Sequence, residues 1–212
     1  MPQEFSSEPQ GLVICYLGAG KGKTTASMGM AVRASGAGMN VYILQFVKAK
    51  GASSNSIKDG EWPVSCEIDF FNSVNKYHLL TPSYSKKKEG QIGKIENEQL
   101  GLGFVGILGD KKQRQAHVKS AIEGVVRARE IILSGEYQLI ILDEIISALE
   151  SKLIEERDII DLIQLKKPLQ HLVLTGHNKY PNILKHCDLV TEMKMLKHPY
   201  YKGILAQRGI DY

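Results

Sequence analysis

Cysteine is scarce in this chain: there are three in 212 residues, Cys15, Cys66 and Cys187, odd in number, far apart and without a C-x-x-C spacing. That argues against a disulfide framework or a thiolate zinc site, and the reducing cytoplasm is the expected compartment. Long apolar runs are missing as well. The first ten residues, Met1 to Gln10, carry Glu4 and Glu8 where a secretory leader would have a basic segment followed by an apolar one. Neither a leader nor a membrane span is expected. A large excess of one charge sign is also absent: the net charge is +4 with both signs interspersed, too mild for a surface that tracks nucleic acid. The one basic cluster, Lys86-Lys87-Lys88, sits beside Ser83, Ser85 and Gly90, which favours a solvated loop over a phosphate-contacting patch. His78, His117, His171, His186 and His198 have no i, i+4 pairing and no carboxylate-linked metal spacing.

Against these absences stands one dense motif. Gly18-Ala19-Gly20-Lys21-Gly22-Lys23-Thr24-Thr25 lies between an apolar strand-like run, Leu12 to Leu17, and a helix-like run from Thr25 onward. Glycines there let successive backbone N–H groups turn toward one centre. Lys23 adds positive charge for phosphate oxygens, and Thr24 offers a hydroxyl to a magnesium ion at a helix N-terminus. The strict phosphate-loop pattern has a glycine five residues before Gly22, where this chain has Leu17. An ordinary glycine-rich strand-to-helix turn is the bland alternative. A dinucleotide fingerprint fits less well, because Lys23 occupies the position of its third glycine.

Apolar strands alternate with helical periodicity through most of the chain. Ala26, Met30, Ala31 and Ala34 mark a helix that Gly36 and Gly38 stop, and Val41 to Phe46 reads as a buried strand. Val118, Ala121, Ile122, Val125 and Ile132 mark a second helix, ended at Ser134-Gly135 and followed by the strand Leu139 to Leu142. Ile159, Ile160, Leu162 and Ile163 mark another helix before Pro168; Leu172 to Leu174 is a strand, Pro181 to His186 a short helix and Leu189 to Met193 a last strand. The expected fold is α/β: a mainly parallel sheet with helices on both faces, like that of phosphate-loop NTPases of the RecA type. The segment 48–110 departs from the rhythm, with only Ile68 to Phe71 reading as a strand. It is expected to be an irregular insertion or lid within a single domain spanning 1–212, because it lacks the apolar residues for a core of its own.

Gln138-Leu-Ile-Ile-Leu-Asp143-Glu144 is a strand ending in two carboxylates. In a parallel sheet that end faces the phosphate-loop crevice, where Asp143 and Glu144 would hold a divalent ion with Thr24. Asp143 as a cap of the next helix is the alternative. Thr175-Gly176-His177-Asn178 follows another strand and is expected at the same crevice as a phosphate contact; a turn with Asn178 as a helix cap is the other reading.

The loop Gly18 to Thr25, Gln45-Phe-Val-Lys48, Leu142-Asp-Glu144, Leu174-Thr-Gly176, Asp188-Leu-Val-Thr-Glu192 and the tail Lys197 to Tyr212 occur in one order. This series resembles the phosphate-loop family of ATP:corrinoid adenosyltransferases over the first ~50 residues and most of the chain after Val118. The family typically lacks the first glycine of the usual loop, which fits Leu17.

What the resemblance implies is transfer of the 5′-deoxyadenosyl group of ATP to cobalt(I) of a reduced corrinoid, with triphosphate as leaving group. Magnesium or manganese would assist, an electron-donating reductase or flavoprotein would supply cobalt(I), and the chain would form a homodimer. Lys23 and Phe104 are the implied catalytic residues, Phe104 from the corrinoid-facing segment. Two departures stand out: Gly103-Phe104-Val105-Gly106 lacks the tryptophan the family often has at the last position, and His177 replaces an arginine. A general phosphate-loop ATPase or phosphotransferase, and a non-catalytic nucleotide or corrinoid carrier, are the competing functions.

Overall fold

The structure, a computed structural model, describes residues 8–49, 66–80, 92–103, 105 and 111–211, with the side chains of 49 and 77–80 excepted. Six strands form one sheet: β1 (Val13–Leu17), β2 (Val41–Ala49), β3 (Ile95–Gly101), β4 (Leu139–Asp143), β5 (His171–Thr175) and β6 (Leu189–Glu192). The order across the sheet is β3-β2-β4-β5-β1-β6, and every pairing is parallel. All six carboxyl ends therefore lie along one edge of the molecule. β5 sits between β1 and β4, so the strand that feeds the phosphate loop and the strand that ends in Asp143 are one strand apart.

The period-2 alternation of strand side chains divides the core. Ile14, Val41, Ile43, Leu139, Ile141 and Val173 pack on one face with Met28 and Ala31 of α1 (Lys23–Gly36) and Ile68 and Phe71 of α2 (Cys66–Leu80). Cys15, Leu17, Tyr42, Leu44, Ile140, Leu142 and Leu174 pack on the other. They meet α3 (Arg114–Ser134), α4 (Ile145–Glu150), α5 (Glu156–Leu165) and α6 (Pro181–Leu184). Strands buried on both faces are the reason their sequences read as continuous apolar runs. Ile141 is wholly buried, and truncation to alanine there would cost about 2–5 kcal/mol.

Within the segment 48–110, the described residues depart from the sequence reading in two places. Ile68 to Phe71 is helical, inside α2, with Ile68 and Phe71 buried one turn apart and Phe70 exposed. Residues 95–101 form β3, an edge strand of the main sheet, which α2 pins through Asn75: Ile95 N–H donates to Asn75 Oδ1 at 3.3 Å, and Asn75 Nδ2 donates to the Ile95 carbonyl. Its run Glu96-Asn97-Glu98-Gln99 is too polar to register as a strand. Arg127 of α3 pairs with Glu98 at 2.9 Å, and the Tyr42 hydroxyl donates to the same carboxylate at 2.6 Å. All three cysteines are free, and among the described residues no helix is long and apolar enough to cross a membrane.

Candidate functional site

β1 ends at Leu17 and the chain turns through Gly18 (φ 109°) and Gly22 (φ 103°) into α1. Only glycine takes those angles without strain. A side chain on Gly18 would also meet the Met193 carbonyl oxygen at 2.3 Å. The loop is tied down by its own amides: Gly18 N–H donates to the His177 carbonyl at 2.9 Å and Gly20 N–H to the Met193 carbonyl at 2.8 Å. Ala19 stands exposed at the tip, and Thr25 is exposed on the first turn of α1. That turn carries no acidic residue, which leaves its amide dipoles uncompensated toward an anion.

Lys23 is buried, and its ammonium donates to the carbonyls of Gly18 at 2.8 Å and Gly20 at 2.9 Å. Burial lowers its pKa from the usual lysine value, opposed by the nearby charges of Glu144, Asp143 and Glu150. Lys21 points the other way: its ammonium pairs with Asp211 at 2.9 Å and is largely exposed. The tail from Met193 to Asp211 thus touches the glycine-rich loop at both ends, at Gly20 and at Lys21. Between them His198, Tyr200 and Tyr201 make edge-to-face ring contacts, and both tyrosines are exposed.

The carboxylates at the end of β4 meet this loop. Asp143 is fully buried, and its Oδ1 accepts the Thr24 hydroxyl at 3.0 Å and the Thr175 hydroxyl at 2.9 Å. Thr175 in turn accepts the Glu144 N–H at 2.7 Å. Glu144 adopts the left-handed conformation (φ 62°), costly for a residue with a Cβ, and opens α4. Its carboxyl is raised from the ordinary range, first by burial and then by the charge of Asp143. The Ser147 hydroxyl donates to that carboxylate and lies 3.1 Å from His177 Nδ1.

Thr175 and His177 lie beside the carboxylates and the glycine-rich loop: Thr175 bonds Asp143, and the His177 carbonyl accepts the Gly18 N–H. Gly176 packs so closely on Ile146 that a Cβ there would lie 2.4 Å from its side chain. The carboxylate of Glu150 accepts the backbone N–H groups of His177 at 3.1 Å and Asn178 at 2.5 Å, and lies 3.8 Å from His177 Nδ1. Neither capping alternative holds. Glu144, not Asp143, occupies the N-cap of α4, and Tyr180, not Asn178, that of α6.

Sequence reasoning missed Ser147 and Glu150, which sit three and six residues after Glu144 on the helix it opens. It also missed the contact of Asp143 Oδ2 with Gln45 Nε2 at 3.0 Å, although Gln45 stood in one of the noted segments. Phe104 and Gly106 lie outside the described residues, as do Lys86 to Lys88. Their neighbours Gly103 and Val105 line a cavity of about 30 Å³ with Phe46, His117 and Ser147.

Comparison with known proteins gives one consistent answer. The family model for ATP:corrinoid adenosyltransferase BtuR/CobO/CobP matches residues 9–212. A corrinoid adenosyltransferase from Sinorhizobium sp is 30% identical over 97% of this chain and 82% of its own length. Those from Pseudomonas aeruginosa and Escherichia coli K12 are 28% and 26% identical, covering 97% and 98% of this chain and 85% and 88% of their own lengths.

Proposed function

The chain belongs to the ATP:corrinoid adenosyltransferase family, and from that premise we propose how its residues divide the work of adenosyl transfer. The observation that carries the reading is the meeting of Lys23, Thr24, Asp143, Glu144 and Thr175 at the carboxyl ends of β1, β4 and β5. ATP lays its triphosphate on the phosphate loop. Because the Gly18 and Gly20 amides already hold the loop to its neighbours, the phosphate contacts fall to the amides from Lys21 to Thr25 at the α1 N-terminus. Gly18, Ala19, Gly20 and Gly22 shape the turn. Lys23 leaves the two loop carbonyls for triphosphate oxygens, which supply the counter-charge its burial demands.

The reaction is a displacement at C5′. Cobalt(I) of the reduced corrinoid gives its electron pair to C5′, the C5′–O bond breaks, and triphosphate departs with that bond's electrons. Cobalt(I) has no proton to lose, so no general base is needed. The protein aligns cobalt with C5′ and stabilises charge on the leaving group.

The donor set suits magnesium or manganese brought in with the triphosphate. Thr24 donates its hydroxyl proton to Asp143, which leaves the oxygen lone pairs turned outward as a ligand. Among the described residues no group of three or more His, Cys, Asp or Glu is placed to hold a metal ion, so water and phosphate would complete the shell of an ion held here. Thr24 and Glu144 would hold it, with Asp143 behind Thr24. When bound, it would offset the charge growing on the triphosphate.

His177, held by Ser147 and Glu150, is assigned a phosphate contact with Thr175 and Gly176 beside it; Lys21 is a further loop contact, released from Asp211. Phe104 is assigned to the corrin face on its motif alone. The remaining parts of the reading are a single domain over 1–212, with segment 48–110 contributing a cover beside the edge strand, a homodimer in the cytoplasm, and a reductase or flavoprotein as electron donor. An anaerobic assay with ATP, magnesium and chemically reduced cobalamin tests the function. Adenosylcorrinoid in the absorption spectrum with one triphosphate per turnover is the expected result. ADP as product would make the chain a general phosphotransferase or ATPase, and no product a carrier.

A further inference from the structure

Asp143 has a third partner that the phosphate loop does not account for. Its Oδ1 takes the two threonine hydroxyls, and its Oδ2 takes Gln45 Nε2. Gln45 is itself fully buried on β2, in register with Asp143 on β4. Its Oε1 accepts from Gln99 Nε2 at 2.9 Å, and Gln99 is its register partner on β3. Three side chains on three neighbouring strands thus form one directed chain, from the sheet edge to the carboxylate.

Direction matters because a primary amide has two ends of nearly the same shape and opposite hydrogen-bonding character. Turned over, Gln45 would aim its oxygen at Asp143 Oδ2, two acceptors with no proton between them. Gln99 prevents this by donating to the Gln45 oxygen. With Oδ2 fixed, the carboxylate presents Oδ1 to Thr24 and Thr175 in one orientation.

We propose that Gln45 and Gln99 are positioning residues for adenosyl transfer, a two-amide relay by which edge strand β3 sets the Asp143 carboxylate and through it the Thr24 hydroxyl. This rests on the reading of Thr24 and Asp143 as the metal–triphosphate subsite. It gives residues 95–101 a part in the reaction that no phosphate-loop pattern assigns, because a relay of side chains across strands leaves no spacing along the chain.

The test uses magnesium dependence of ATP binding, followed with a fluorescent ATP analogue and no corrinoid, on the parent protein and on Gln99→Leu, Gln99→Lys, Gln99→Glu, Gln45→Leu and the double leucine variant. Gln99→Leu should raise the half-saturating magnesium concentration up to about tenfold, the upper end of what one neutral amide–amide hydrogen bond is worth. Gln99→Lys restores a donor and should stay within about twofold of the parent. Gln99→Glu presents an acceptor and should be worst of the three. The double leucine variant should match Gln45→Leu alone, since Gln99 acts through Gln45.

Thermal denaturation identifies a purely structural effect, which would lower the melting temperature equally in Gln99→Leu and Gln99→Lys without ordering their magnesium dependence. Unchanged magnesium dependence in Gln99→Leu, or additive effects of the two leucines, overturns the relay. Thr24→Ala separates the two levels. If it shifts magnesium dependence and Gln99→Leu does not, the relay alone fails; if neither shifts, the metal reading fails and the relay with it.

Discussion

Thr24 Oγ1 donates to Asp143 Oδ1 across 3.0 Å although 119 residues separate them in the chain. The contact joins the first turn of α1, which follows β1, to the last residue of β4, and β1 and β4 are not neighbours in the sheet. Thr175 of the intervening strand closes the gap by donating to the same oxygen. A site assembled from three strand ends is set by the sheet's register, so its geometry is only as firm as the packing of Leu142, Leu174 and Leu17 beneath it.

Lys23→Ala should lower turnover at least ~100-fold, because a positive charge directed at a leaving group is worth about 3 kcal/mol in such a site. The measurement is the rate of adenosylcorrinoid formation at saturating ATP. Near-normal turnover would remove Lys23 from the mechanism.

Glu144→Gln should reduce activity in a way that added magnesium partly restores, since an amide is a weaker ligand than a carboxylate. A magnesium titration of the variant against the parent decides it. Identical curves would mean that the burial-raised carboxyl of Glu144 serves α4 and His177 and not an ion.

Two glycine substitutions should have opposite signs. Gly18→Ala places a methyl 2.3 Å from the Met193 carbonyl oxygen at φ 109°, and should cost about 1–3 kcal/mol in backbone strain before the clash is counted. Gly29→Ala on the exposed side of α1 meets nothing within 4 Å and should gain about 0.5–1 kcal/mol. Urea denaturation with a common slope reads both.

Stability should fall as pH drops below about 6.5, the usual histidine value, with His171 contributing. Its Nδ1 accepts the Leu12 N–H at 3.1 Å, so the ring is needed neutral. Burial, and then the charge of Lys166, lowers its pKa in the folded state. The unfolded chain therefore binds the proton first, and the contribution is present above the unfolded pKa and lost as pH falls toward the folded one. His171→Gln should flatten this part of the pH–stability curve; an unaltered curve would mean that other groups set it.

What the sequence revealed follows the physics of burial. Strands covered on both faces, such as Leu139 to Asp143, need apolar residues throughout and are read without difficulty. β3 is an edge strand whose stability comes from Glu98 meeting Arg127 and Tyr42 and from Asn75 meeting its backbone, none of which leaves a local pattern. The run Ile68-Asp-Phe-Phe71 within α2 reads as a strand because it is rich in β-formers, but Ile68 and Phe71 are buried one helical turn apart and packing overrides propensity. In the site, Lys23, Thr24 and the paired carboxylates follow from motif chemistry. Gln45 and Ser147 contact the two carboxylates, Gln99 contacts Gln45 and Glu150 contacts His177, and such contacts depend on neighbours in space, which only the fold supplies.

The tail that grips the phosphate loop at Gly20 and at Lys21 also offers a built-in optical probe. Tyr200 and Tyr201 ride on that strap in the open, between its contact with Gly20 and its contact with Lys21. If ATP releases Lys21 from Asp211, tyrosine emission is expected to change with loop occupancy. The single tryptophan, Trp62, dominates emission from such a chain, so Trp62→Phe leaves the nine tyrosines as its emitters. Replacing Tyr200 and Tyr201 one at a time by phenylalanine tells which ring reports.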